Sequence, residues 1–389
     1  MSSNTEPKQP LYDNLQRIFC LSYLSNISAL SSGSREKIQK FTTDAINLAL
    51  DLTRDLIGQW ELVWGPCVFQ SKKNPDNKAD NTMYVAMNRD LHGYPQYVIA
   101  IAGSMSLYDY FIEDFDVMNT YDWPYYKGNP PGLKPWISEG THIGLEILTE
   151  NEQMKSDGKS IYDFLKDLMK DQKEKVEIVV SGHSLGGALS AALALYLADL
   201  KDEWDPERYA VLSAYPTAGP PIGNYDFVTY FESRIGCSTT RIWNRIDLVP
   251  HLWHMLDEGL CLYYPEVPPG PWVRMLMGVL RALPGNNIYA QLKPHTPGLP
   301  GHVADLFNLG LERPDPKTVE EKVINFFNFF AQAEYQHVLS YLSLLGLYDF
   351  VELLRKNKIF VPSFPSPQDE KFIALCEKLS DYEKKISQR

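Results

Sequence analysis

Ser184 stands at the centre of Gly182-His183-Ser184-Leu185-Gly186, between the apolar run Val176-Glu177-Ile178-Val179-Val180 and a stretch rich in alanine and leucine. A strand that turns at once into a helix holds its apex residue in a strained, often positive-φ conformation. Glycines two residues to either side leave the backbone room for that turn. The apex hydroxyl then stands clear of the sheet edge, with a helix N-terminus behind it. The N–H groups and dipole there favour negative charge, of the kind that develops on an ester carbonyl oxygen under nucleophilic attack. The chemistry predicted for this turn is acyl transfer through a serine nucleophile. Gly-x-Ser-x-Gly alone arises by chance in many chains, and its placement between a strand and a helix is what gives it weight.

A serine hydroxyl is a weak nucleophile; it needs an imidazole to take its proton and a carboxylate to orient that imidazole. When the serine sits on a strand-to-helix turn, the acid follows it in the chain and the histidine comes last. Asp247 lies just past a β-like segment at 239–244, which would bring it to the sheet edge that carries Ser184. Its other reading is a cap of the turn before Pro250. Five histidines follow: His251, His254, His295, His302 and His337. The first two are too close to Asp247 to arrive from a separate loop and are expected to pack or to line the cleft. His295 and His302 fall in a proline- and glycine-rich stretch, a less rigid platform. His337 opens a helical segment that would fix it against the core, so it is preferred as the base, with His295 and His302 left as alternatives.

The elements that must position these groups follow from periodicity. Helical spacing runs over 11–29 and 34–57, and strand-like segments fall at 60–69, 82–88 and 96–102. Tyr97-Val98-Ile99-Ala100-Ile101-Ala102 is continuously apolar, as expected of a strand buried on both faces. Residues 120–136 read as loop. Helices are predicted at 138–152, 159–172, 184–200 and near 224–234, with strands at 176–182, 208–217 and 239–244. This alternation specifies a mostly parallel sheet with helices on both faces. From 248 to 315 it breaks into a proline-rich stretch around an apolar helix at 272–283, which suits a cover over a site better than a linker. The closing stretches 317–346 and 366–387 read as helical.

Five stretches together resemble the class 3 (fungal-type) lipases. They are Val-Ser-Gly-His-Ser-Leu-Gly-Gly-Ala-Leu at the turn, Thr-His-Ile-Gly-Leu at 141–145, Ala-Gly-Pro-Pro-Ile-Gly-Asn at 218–224, Arg-Ile-Trp-Asn-Arg-Ile-Asp-Leu-Val-Pro at 241–250, and His337-x-x-x-Tyr341. The resemblance implies an α/β-hydrolase fold with Ser184, Asp247 and His337 as the triad. It also implies an oxyanion hole made by Ser104, after Gly103, together with the Leu185 N–H. Two of the family's arginines are absent, their positions being taken by Ala102 and Pro221. The domain organisation expected is an N-terminal helical extension (1–58), a hydrolase domain (59–346) with a cap insertion at about 255–315, and a C-terminal helical tail (347–389). Met105, Leu107, Tyr108, Phe111, Ile112 and Phe115 alternate with acids over about 105–116, where the family carries its lid. That amphipathic stretch would either cover the cleft and open on lipid or stay docked on the core.

Composition bounds the partners. The net charge of −12 makes nucleic acid and anionic membranes poor partners. The five cysteines are scattered and contain no C-x-x-C pair, which argues against a disulfide framework or a zinc site and for a reducing, cytoplasmic setting without a signal peptide. No cofactor is implied, and no run is long and apolar enough to span a bilayer. Aromatic residues such as Trp123, Trp136, Trp253 and Trp272 favour an apolar ester or lipid substrate, with at most transient contact to a lipid interface. The leading expectation is a carboxylic ester hydrolase. Acyl transfer to another acceptor, and a binding protein on a hydrolase scaffold, are the alternatives.

Overall fold

A computed structural model of the chain describes residues 10–72, 77–89, 93–103, 116–293, 295–305, 317–359 and 370–387. Ser104 and all but the last residue of the lid expected at about 105–116 lie outside the described residues. The strands are β1 (Glu61–Phe69), β2 (Asn81–Asn88), β3 (Gln96–Ile101), β4 (Thr120–Asp122), β5 (Trp136–Ser138), β6 (Val176–His183) and β7 (Ala210–Thr217). The principal helices are α1 (Asn14–Leu24), α2 (Arg35–Leu52), α3 (Glu139–Glu150), α4 (Ile161–Lys170), α5 (Leu185–Asp199), α6 (Tyr225–Ile235), α7 (Pro271–Ala282), α8 (Val319–His337), α9 (Leu339–Leu344), α10 (Tyr348–Lys356) and α11 (Glu370–Ser387).

Five strands form one sheet in the order β1-β2-β3-β6-β7. β2 is antiparallel to β1 and β3, and β3, β6 and β7 are parallel, so four of the five strands run the same way. Alternation along β3 and β6 divides the core. Ile99, Ile101, Ile178 and Val180 pack on the side of α3 to α6. Val98, Ala100 and Val179 face the opposite cluster, built by α1, α2 and α10. Both faces being covered explains why these strands read as unbroken apolar runs. The resulting α/β-hydrolase architecture is the one expected.

The first helices belong to this core. α1 starts on an Asp13–Gln16 capping box and buries Ile18, Phe19, Cys20 and Leu21. Its carbonyl at Leu21 accepts the Tyr84 hydroxyl at 2.6 Å. A third cluster joins α7 to the C-terminal helices: Trp272 and Leu276 of α7 pack with Phe326 and Phe330 of α8 and Phe372 and Leu375 of α11.

Two local expectations are corrected. Residues 120–136 are not all loop, because Thr120–Asp122 pairs antiparallel with Trp136–Ser138. The segment 239–244 is not a continuous strand; it touches β7 only through the parallel bridges Ala214–Thr239 and Thr217–Ile242. Thr240 N–H donates to Ala214 O and Ile242 N–H to Pro216 O, but Pro216 has no N–H to return. The ladder is therefore interrupted there.

Candidate active site

The carboxyl ends of the parallel strands gather the candidate residues at one sheet edge, the usual site of function in open α/β sheets. β6 ends in the turn at Ser184, which has φ 61° and ψ −122°, a positive φ on a residue with a side chain. Two contacts hold it there. The Ser184 N–H donates to Thr217 O of β7 at 3.0 Å, and the Ser184 carbonyl receives the Ala188 N–H at 3.1 Å. A Cβ on Gly182 would run into the Gly186 carbonyl, and one on Gly186 into the Ile101 carbonyl. The turn therefore closes only with glycine at both places. α5 is buried nearly all round, so the helix behind the serine is fixed by packing on both sheet and neighbours.

The bridged segment beside β7 delivers Asp247, which is fully buried. Its carboxylate accepts three donors: the His337 Nδ1–H at 2.9 and 3.1 Å, the Tyr341 hydroxyl at 2.8 Å and the Val249 N–H at 3.0 Å. Burying an ion demands such pairing. Arg241, almost wholly buried and stacked over Trp243 at 4.6 Å, adds a further positive charge close by. Burial lowers the Arg241 guanidinium to about 10, while Tyr341 and Asp247 pull the other way. It stays charged at neutral pH.

His337 is the last residue of α8, and its Nε2 meets the Ser184 Oγ at 2.7 Å. The chain bends at Val338 before α9, and a polar knot holds that bend. The Asn244 amide donates to the Gln336 carbonyl, the Gln336 side chain and the Ser340 hydroxyl at 2.9–3.2 Å. Tyr341 is pinned from its other side by the Asn244 N–H at 2.9 Å. Burial raises the Tyr341 pKa well above its ordinary value, and Asp247 adds to this, so the hydroxyl remains a donor. His337 thus lies at a helix C-terminus, with the Asp247 carboxylate on the Nδ1 side of its ring and the Ser184 hydroxyl on the other.

His183, just before the serine, is buried with its ring 4.9 Å from that of His337. Its pKa lies well below the usual value, chiefly through burial and next through His337, so it stays neutral beside the His337 ring. His251 and His254 pack: the Nδ1 of His251 contacts the Asp247 carbonyl at 2.7 Å and that of His254 the Tyr289 carbonyl at 3.1 Å. His295 and His302 are exposed and their rings join none of these contacts, although the His302 carbonyl accepts the Gln336 Nε2–H at 2.7 Å. Leu185 opens α5, so its N–H has no carbonyl within the helix to meet. Tyr341, Asn244 and Arg241 were given no role by sequence reasoning. The spacing of one helical turn between His337 and Tyr341 was the available signal for the first.

Among the described residues no group of three or more His, Cys, Asp or Glu could hold a metal ion, and no helix is long and apolar enough to cross a membrane. The arrangement can polarise a serine hydroxyl, accept its proton and stabilise the resulting imidazolium.

The family model described as "Lipase (class 3)" matches residues 98–256. The crystal structure of M37 lipase is 30% identical, with a TM-score of 0.75, over 95% of this chain and 100% of that one. A triacylglycerol lipase of Ricinus communis is 31% identical over 109 residues, 26% of this chain and 20% of its own. A lipase of Rhizopus niveus is 34% identical over 76 residues, 20% of this chain and 18% of its own. The chain thus spans about a fifth of the length of the curated relatives it matches.

Proposed function

This chain belongs to the class 3 lipase family, and from that premise we propose that it is a serine carboxylic ester hydrolase acting on lipid or other apolar esters. The observation that carries the reading is the continuous chain of bonds from the Ser184 Oγ through His337 to Asp247, at 2.7 and 2.9 Å. In the first half-reaction the Ser184 oxygen attacks the ester carbonyl carbon while its proton passes to His337 Nε2. The carbonyl π electrons move onto oxygen, where the Leu185 N–H and Ser104 act as donors. Collapse expels the alcohol, which takes the proton back from His337, and leaves an acyl-serine. Water repeats the sequence and releases the acid. Asp247 holds the imidazole in the tautomer that presents a bare Nε2 to the serine.

An apolar acyl group is supported by the surroundings of the nucleophile. Leu185, next to Ser184, packs against the cluster of Leu248, Val249, Leu252 and Trp272, which joins the cap to the site. A reducing, cytoplasmic setting is part of the same reading and is supported by five cysteines that are all unpaired. The test is labelling by a fluorophosphonate probe, together with turnover of p-nitrophenyl esters of increasing chain length. Labelling is expected at Ser184 and should vanish in Ser184→Ala; an alanine variant that labels as well as the parent ends the proposal.

A further inference from the structure

The N-terminal segment does more than cover one face of the sheet. Asn26, in the 3₁₀ turn that follows α1, accepts the Gly103 N–H on its Oδ1 at 2.9 Å, across 77 residues of chain. Gly103 is the last described residue after β3, and its other side lies against the serine turn. A Cβ built on Gly103 would collide with the His183 carbonyl and come within 3.1 Å of the Ser184 Cβ. The Gly103 peptide is thus clamped between Asn26 and the nucleophile. The strand end before it is fixed by the Ala102 N–H, which donates to the Thr82 carbonyl at 2.9 Å; the Ser28 and Thr82 hydroxyls meet at 2.8 Å in a separate bond that does not involve Gly103. Phe19 of α1 also stacks on Tyr341 and sets its edge against His183, so one segment touches both halves of the site.

We propose that Asn26 is a positioning residue for ester hydrolysis, holding the Gly103 peptide at the depth from which the chain presents its oxyanion donor. The proposal rests on the hydrolase reading above. A peptide N–H needs an acceptor when it is removed from water. Without one at Asn26, the Gly103 peptide plane is free to rotate beside the serine turn, and the backbone that leads out of β3 toward the donor of the reading above is no longer held. A donor must be in place before charge develops, so the penalty falls on the transition state and not on substrate binding. Asn26 itself is only half-buried, so its substitution removes little packing.

The experiment compares the full chain with Asn26→Ala and with Ser28→Ala, which breaks the neighbouring Ser28–Thr82 bond without touching Gly103. Three quantities are measured: kcat and KM on a p-nitrophenyl ester, the rate of Ser184 phosphonylation, and hydrogen exchange at the Gly103 amide. Asn26→Ala is expected to lower kcat about tenfold or more, with KM within about twofold, to slow phosphonylation in parallel and to expose the Gly103 amide to exchange. Ser28→Ala should leave all three near the parent values. The proposal is overturned if Asn26→Ala turns over within about twofold of the parent, or if Ser28→Ala loses as much. A parent chain that hydrolyses no ester would sink the hydrolase reading and this inference with it. A parent that turns over beside an equally fast Asn26→Ala would sink the inference alone.

Discussion

Asp247→Asn changes one atom of a buried carboxylate, and the geometry around it sets the outcome. Every group that approaches the carboxylate is a donor: Val249 N–H on Oδ1, the Tyr341 hydroxyl on Oδ2, and His337 Nδ1 on both. An amide in that position must turn its NH₂ toward one of them. If it faces His337, the imidazole meets a donor and favours the tautomer with its proton on Nε2. The Ser184 Oγ, 2.7 Å away, then faces an N–H and has no base. In either orientation the NH₂ also opposes a second donor, the Val249 N–H at the Oδ1 position or the Tyr341 hydroxyl at the Oδ2 position, leaving a buried donor unpaired at a cost of about 1–3 kcal/mol. The loss of the correct tautomer in a serine triad is worth about 10⁴-fold in kcat, or about 5.5 kcal/mol of transition-state stabilisation. The assay is kcat on a p-nitrophenyl ester at saturating substrate, beside a thermal unfolding curve to show that the fold persists. A folded Asp247→Asn protein retaining more than about a tenth of the parental kcat would refute the assignment of Asp247 as the group that orients His337.

The same geometry sets further outcomes. Gly186→Ala places a methyl group against the Ile101 carbonyl and the Ala102 backbone, which cannot move without opening the sheet. Thermal or urea unfolding should show a loss of about 3 kcal/mol or more, and an unchanged midpoint would mean that the turn is not closed as described. Acid should weaken the fold. His183 and His251 are held below their ordinary pKa of 6.5 mainly by burial, so on acidification the unfolded chain takes up these protons first. Their contribution is fully present above about pH 6.5 and declines below it, by at most about 1.4 kcal/mol per pH unit for each group. Tm measured from about pH 7.5 down to 5 should fall, and less steeply in His183→Gln; a flat profile in the parent would contradict the burial of these rings.

What could be read from the chain alone divides by the range of the interaction that creates it. The turn at Ser184 is a local object: strand, two glycines and helix are contiguous, so the residues announce it and even its positive φ. β3 and β6 were equally plain, because strands covered on both faces must be apolar throughout. The edge segment 239–244 reads as a strand, but its pairing depends on Pro216, a missing donor on the neighbouring strand that no window around 240 contains. β4 and β5 escaped for a similar reason, being three residues each and defined only by one another. The site shows the same division. The three residues that the structure brings together, Ser184, Asp247 and His337, are nameable from residue type and chain order. The groups that fix them, namely Tyr341 on Asp247, Asn244 on Gln336 and Asn26 on Gly103, are joined across 94, 92 and 77 residues by single hydrogen bonds or small sets of them. A single polar side chain has no periodicity, and an asparagine after α1 is indistinguishable in sequence from an ordinary helix-end residue. Such a bond becomes visible only when the backbone group it satisfies is known to be turned away from water. Positioning residues are therefore the part of a site that sequence hides best, and a buried backbone N–H with no secondary-structure partner is the place to look for them.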